Sequence, residues 1–351
     1  MPTTARRNLA SFTPPRPNIL VHLSPAKPTV VYDTYWKFST ERQRIFFARI
    51  AGQPAPWTDD PVLQAHKFTN AYRASDRVSQ YLIRSVIYRG DQDPIQLCFR
   101  ILLFKIFNRI DTWELLEREF GEVRYAPGFV RAYDQVLTRA MAAGKRIYSP
   151  AYIMPSGGKL NKTGRKHRMH LDLLARMITD HLPQKLIEAG SMQEAFSLLL
   201  GYPTIGDFLA YQYVTDLNYS PLLNFDEMHF VVPGPGALNG IAKCFADFGG
   251  LTEVDLIKIV AERQEAEFTQ RGLKFQSLWG RKLQLIDCQN LFCEVDKYSR
   301  VAHPEFGSGG RTRIKQRFSP HSAPISYWFP PKWKINERIT LRPMVPHDSL
   351  L

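Results

Sequence analysis

The chain has 351 residues, of which 44% are apolar and 12% aromatic, enough to build a packed core and to exclude wholesale disorder. Lys and Arg number 46 against 33 Asp and Glu, a formal net charge of +13, which favours a polyanionic partner, nucleic acid first, and is silent on fold. No run approaches eighteen apolar residues, so no membrane-spanning helix is expected.

Residues 1–30 read as a basic flexible arm, with Arg6, Arg7, Arg16 and Lys27, no acid and too many prolines for a signal-peptide core. A helical body is expected over 31–300, arranged as two lobes about a cleft. Its first helix shows in Phe38, Arg42, Ile45, Phe46 and Arg49, spaced three and four apart. Asp60 before Pro61 reads as a cap and first helical position. The stretch 62–88 reads as one helical run, and LCFRILLFKIFNRI (97–110) as a helix buried all round. Two helices closed by Gly121 and Gly144 follow, then a basic loop in which His167 and His170 read as solvated. Further helices are expected around 171–182, 191–201, 207–217, 237–248, 251–272 and 283–298. Residues 301–351 form a basic Pro/Gly-rich extension. Period-two strands are scarce, so the fold is read as mainly α.

Cys98, Cys244, Cys288 and Cys293 form no CxxC pair, so neither a disulfide framework nor a zinc or iron–sulfur centre is expected, and they read as reduced thiols of a cytoplasmic protein. No GxxxxGK[ST], HExxH or GxSxG is present. Two glycine turns carry more weight. Gly206 precedes one helix, and Gly234 with Gly236 opens another. Amide-rich helix starts of this kind grip a phosphodiester without reading sequence, as helix-hairpin-helix units do. Asp226 follows Gly206 by the interval that separates hairpin from catalytic aspartate in helix-hairpin-helix DNA glycosylases, and Glu227 is its neighbour. A fixed carboxylate there stabilises oxocarbenium character at a sugar or orients a water. Asn108, ending the apolar helix, is placed to wedge into a base stack. Two polar stripes complete the candidates. Asn70, Tyr72, Arg73, Asp76, Arg77 and Gln80 form one; Asp287, Asn290, Glu294 and Lys297 form the other, spaced to share a helix face and to line a pocket for a flipped base.

YWKFSTERQ, PWTDDPVLQAHKFTNAYRASDRVSQ, FLAYQYVTDLNYS, VVPGPGALNGIAKCF and IDCQNLFCEVDKY resemble the alpha-glutamyl/putrescinyl thymine pyrophosphorylase group, its third clade in particular. That group is related to the helical domain of 5-hydroxymethyluracil DNA kinases. The resemblance implies a divergent helix-hairpin-helix DNA glycosylase fold, action on modified pyrimidines of phage DNA, and acidic positions at Glu227, Asp287 and Glu294. No P-loop accompanies these blocks, so the group's kinase role is not expected to carry over. The lyase lysine of bifunctional glycosylases falls on Phe208 or Leu238, which cannot form a Schiff base.

The expectation is therefore a monofunctional DNA glycosylase that flips and excises a hydroxymethylated or glycosylated pyrimidine in antiphage defence, without cofactor or metal, acting as a monomer on duplex DNA. Asp287 or Asp226 would stabilise the sugar cation, with Glu294 and Asn290 positioning water or base. The alternatives are a transferase or pyrophosphorylase at the 5-methyl carbon of activated thymine, and a non-catalytic reader of modified DNA.

Overall fold

Thr29 starts the helical body of the computed structural model, its hydroxyl accepting the Val31 amide at 3.1 Å ahead of α1 (Val30–Ile50). The structure describes residues 24–152, 154–158, 164–307, 313–319 and 326–339; the expected arm falls largely outside them. Asp60 caps α2 (Pro61–Ala65) as its sequence position indicates, accepting the Val62 and Leu63 amides. The single helix expected over 62–88 is instead broken. Residues 66–76 form an irregular segment with a 3-10 turn at Arg73–Ser75, followed by α3 (Arg77–Tyr81) and a π-helical turn at Leu82–Ile87.

The chain continues through α4 (Pro94–Phe107), α5 (Ile110–Phe120), α6 (Phe129–Ala142), α7 (Lys166–Thr179), α8 (Leu182–Glu188), α9 (Met192–Leu200) and α10 (Asp207–Asn218). It ends its helical course with α11 (Pro235–Cys244), α12 (Glu253–Gln270) and α13 (Leu285–Ala302). Among the described residues the only sheet pairs β1 (Lys27–Pro28) with β2 (Phe245–Asp247), antiparallel. The fold is mainly α. None of its described helices is long and apolar enough to cross a membrane.

The helices pack in two groups. One joins the first helix to the last three, α1 with α11, α12 and α13; the other joins α4 with α7, α8 and α10, and these with α6 and α9. The irregular segment 66–76 lies between the groups. Helix α4 is buried all round, as its composition demands, and passes through the middle of the second group.

Helices α11 and α13 approach closely because α11 presents glycine. A Cβ on Gly240 would stand 2.0 Å from the Phe292 carbonyl oxygen, one on Gly236 2.3 Å from the Cys293 sulfur, and one on Gly234 2.8 Å from the Phe208 ring. At Gly234 and Gly236 the absence of a side chain is therefore required by packing. Gly206 differs, opening α10 from an exposed site with no atom within 4 Å of a Cβ.

Candidate functional site

Segment 68–76 is largely buried and, apart from the 3-10 turn at Arg73–Ser75, irregular, so its backbone groups need side-chain partners. Helix α13 supplies several. Glu294 accepts the Thr69 amide at 2.9 Å, Asp287 accepts the Arg73 amide at 2.8 Å, and Asn290 donates to the Thr69 hydroxyl at 3.0 Å. From α1, Arg42 donates to the Thr69 carbonyl and to the Asn70 side chain, while Asp76 accepts the Asn70 amide at 2.9 Å. Lys297 completes this set by donating to Glu294 at 2.8 Å. Burial pushes the Asp287 carboxyl up to about 6 and that of Asp76 up to about 7, against the lowering effect of the amides they accept. The other Asp287 oxygen accepts the Gln284 amide at the start of α13. Both its oxygens thus hold main chain in place.

Arg73 carries the network across to the second group. Its guanidinium donates to Asp216 at 2.6 Å, Gln212 at 3.1 Å and the Tyr219 hydroxyl at 3.1 Å. The second Asp216 oxygen lies 2.8 Å from the Lys105 ammonium, which sits 4.0 Å from the centre of the Tyr152 ring. These three charged side chains are at most 4% exposed. Burial lowers Lys105 to about 8 despite Asp216, whereas Arg73 and Lys105 overcome the effect of burial at Asp216 and hold its carboxyl below the usual range. The triad is closed to solvent and joins the two helical groups.

A third cluster reaches the surface. Glu227 accepts from Arg281 at 2.7 Å and from the Trp333 indole at 3.1 Å, and the Arg281 guanidinium lies 3.8 Å from the centre of the Trp333 ring. Lys332, lowered by burial to about 8, donates to the Ser220 and Leu223 carbonyls. In front of this cluster opens a cleft of about 320 Å³ lined by Arg281, Lys282, Gln284, Trp333, Lys334 and Arg338, among others. A larger hollow of about 660 Å³ lies between α1 and the end of α13, with mixed charge at Lys37, Glu41, Arg44 and Asp60. It holds none of the residues nominated from sequence.

The expected constellation is therefore divided. Asn70, Arg73, Asp76, Asp287, Asn290, Glu294 and Lys297 come together, while Glu227 is buried behind the cleft, bonded to its wall residues Arg281 and Trp333. Tyr72 donates to the Arg281 carbonyl at 2.6 Å and so links the two clusters, and Gln80 accepts the Trp328 amide at 2.9 Å. Three nominations separate from them. Asp226 is exposed in a turn, accepting the Met228 amide, so the glycosylase spacing brings no carboxylate into a pocket. Arg77 points to solvent because the chain turns at 73–75 and no single helix face holds the stripe. Asn108 is a buried left-handed cap of α4, with φ of 47°, and cannot reach a base stack. His167 and His170 also depart from expectation: both are buried, His167 against Asp134 at 3.1 Å and His170 against the Tyr148 hydroxyl at 2.7 Å. Sequence reading passed over Arg42, Lys105, Gln212, Asp216, Arg281 and Trp333.

The family described as "5-hmdU DNA kinase, helical domain" matches residues 29–308, which include all of α1 to α13 and every member of the buried network. The chain belongs to that family. Within it, a 5-hmdU DNA kinase of Bacillus phage SP10 is 26% identical over 343 residues, covering 90% of this chain and 52% of the relative. The chain thus spans about half the length of that relative. No solved structure matches. The relationship overturns the reading as an excising, hydrolytic glycosylase, because both the family and the relative are named for a 5-hmdU DNA kinase. The match extends through the family's helical domain, in line with the resemblance read from the sequence.

Proposed function

We propose that this chain acts on DNA containing 5-hydroxymethyluracil, in a transferase-type reaction at the 5-substituent that leaves the glycosidic bond intact. The family match over residues 29–308 carries this reading. The geometry agrees with it. The carboxylates nominated for sugar-cation chemistry are committed to holding main chain or exposed in a turn, whereas Glu227 stands beside a cationic, aromatic-walled cleft. Charge that develops on a transferred anionic group is stabilised by fixed cations. Arg281, held by Glu227 and Trp333, is such a cation, and Glu227 is the candidate to accept the hydroxymethyl proton. Asp287, Asn290, Glu294, Asn70 and Asp76 serve as positioning residues, fixing segment 68–76 so that Tyr72 holds the Arg281 backbone. The substrate is duplex DNA, bound in the cytoplasm by a single copy whose helical body covers 31–300.

The test is to incubate the purified protein with duplex containing 5-hydroxymethyluracil, with and without a nucleoside triphosphate, and to analyse the digested nucleosides by mass spectrometry. An altered nucleoside with the base retained is expected, reduced at least tenfold by Glu227→Gln. DNA returned unaltered, or abasic sites, would exclude the reading.

A further inference from the structure

The cleft between residues 280–284 and 333–338 has a composition that neither the family relationship nor the buried network explains. Its lining includes Arg281, Lys282, Lys334 and Arg338 and no carboxylate. Two of these cations are accounted for, Arg281 by Glu227 and Lys282 by Glu265 at 2.9 Å. Lys334 and Arg338 form no ion pair among the described residues; the Arg338 guanidinium makes only a 3.3 Å contact to the Trp279 carbonyl. Both lie on the same rim, four residues apart, opposite Arg281 and Lys282, so the hollow carries an excess of positive charge that an anion would offset.

The backbone on both rims is unusual as well. Trp279 has φ of 50° and Gly280 of 95° on one side, and Lys334 has φ of 54° on the other. A left-handed conformation is costly for residues such as Trp and Lys and persists where surrounding structure enforces it. What enforces it at Lys334 is a strap, residues 326–339, beyond the last residue of the family match. Phe329 is fully buried, Trp328 donates its amide to Gln80, Asn336 closes the strap on itself through the Phe329 amide and carbonyl, and Lys332 ties it to the turn after α10. The strap supplies half of the cleft and two of its four cations.

We propose that this cleft is a phosphate-binding site, completed by the C-terminal strap, and that it takes a phosphodiester of the DNA strand. Lys334 and Arg338 contact the phosphate oxygens, while Arg281, fixed between Glu227 and Trp333, sets the floor. The inference rests only on the DNA-binding half of the proposed function, not on its chemistry.

The test compares the double variant Lys334→Asn/Arg338→Gln with the wild type by fluorescence anisotropy on unmodified and 5-hydroxymethyluracil duplexes over a range of salt concentrations. Asn tolerates the left-handed backbone at 334, and both side chains are exposed, so the fold is retained. Arg118→Gln/Arg139→Gln, removing two exposed cations from α5 and α6, controls for net charge. The double variant should bind both duplexes roughly tenfold more weakly, and its slope of log K against log salt should fall by about 0.9 for each phosphate it no longer neutralises, with the control unchanged. Equal slopes for double variant and wild type would overturn the site, even if preference for the modified base persists. A reduced slope without such preference would retain the site and reject the base reading. Titration with pyrophosphate separates the sources of phosphate: if the double variant fails to bind pyrophosphate yet binds duplex as the wild type does, the assignment to the DNA strand is overturned.

Discussion

Asp76 and Asp287 are carboxylates that burial makes reluctant to ionise, and each is retained because a main-chain amide needs it as an acceptor. Their effect on stability has a definite sign. In the range from about 4 to 7 the folded chain keeps a proton at Asp76 that the unfolded chain has released. This contribution is complete below the unfolded value of 3.8 and is lost as pH rises through about 7. Asp76→Asn keeps the acceptor for Asn70 without ionising. Urea denaturation at several pH values should therefore show the wild type losing more stability than Asp76→Asn between pH 4 and 7, by on the order of a few kcal/mol; parallel profiles would disprove it. Asp216 presents the opposite case, one carboxylate between two buried cations. Asp216→Asn leaves both without a counter-charge and should cost about 3–5 kcal/mol, while Lys105→Met leaves the Arg73 pair intact and should cost less. Equal losses in chemical denaturation would show that the triad does not act as a charge unit. The Arg73 side of this cluster is visible in the sequence as a polar residue in a polar stripe. Asp216 is not, because a lone acid in an apolar helix reads as solvent-facing until a partner 143 residues away is known.

Helices whose signals are local are legible in the sequence, and those governed by distant contacts are not. The Asp60–Pro61 start of α2, the all-round burial of α4 and the glycine stops after α5 and α6 each follow from residues within a turn or two. The run 62–88 has helical spacing throughout, yet it breaks at 66–76 because α13 and α1 offer its backbone better-placed partners than a helix would. The glycine turns show the same division. Sequence marks Gly206, Gly234 and Gly236 alike as helix openers, and only packing reveals that Gly236, with Gly240, lets α11 lie against α13 while Gly234 makes room for Phe208 of α10. Gly240→Ala drives a methyl into a main-chain carbonyl and should destabilise by about 2–3 kcal/mol or more. Gly206→Ala meets open space at a φ of −93° and should cost less than about 1 kcal/mol. Thermal melts of the two variants check the contrast, which fails if Gly240→Ala melts with the wild type.

For the whole molecule, the proposed function requires net charge and base recognition to make separable contributions to binding. The surplus of +13 is legible at once, but its placement is not: Lys334 and Arg338, without ion pairs among the described residues, belong to a tail whose Pro-rich sequence has no helical period, and the burial of Phe329 with the Trp328–Gln80 and Lys332 bonds fixes them beside the start of α13. Phosphate contacts release counterions and so weaken as salt rises, whereas contacts to a base edge or its 5-substituent release none. Affinity for any duplex should therefore fall tenfold or more between about 50 and 200 mM salt. The ratio of affinities for duplexes with 5-hydroxymethyluracil and with thymine should stay constant across the same range, because the phosphate contributions cancel. Anisotropy titrations on matched duplexes measure both quantities. A ratio that decays with salt would mean that the modified base is sensed through the charge or shape of the backbone, and the Glu227–Arg281–Trp333 cluster would then have no part in telling the two bases apart.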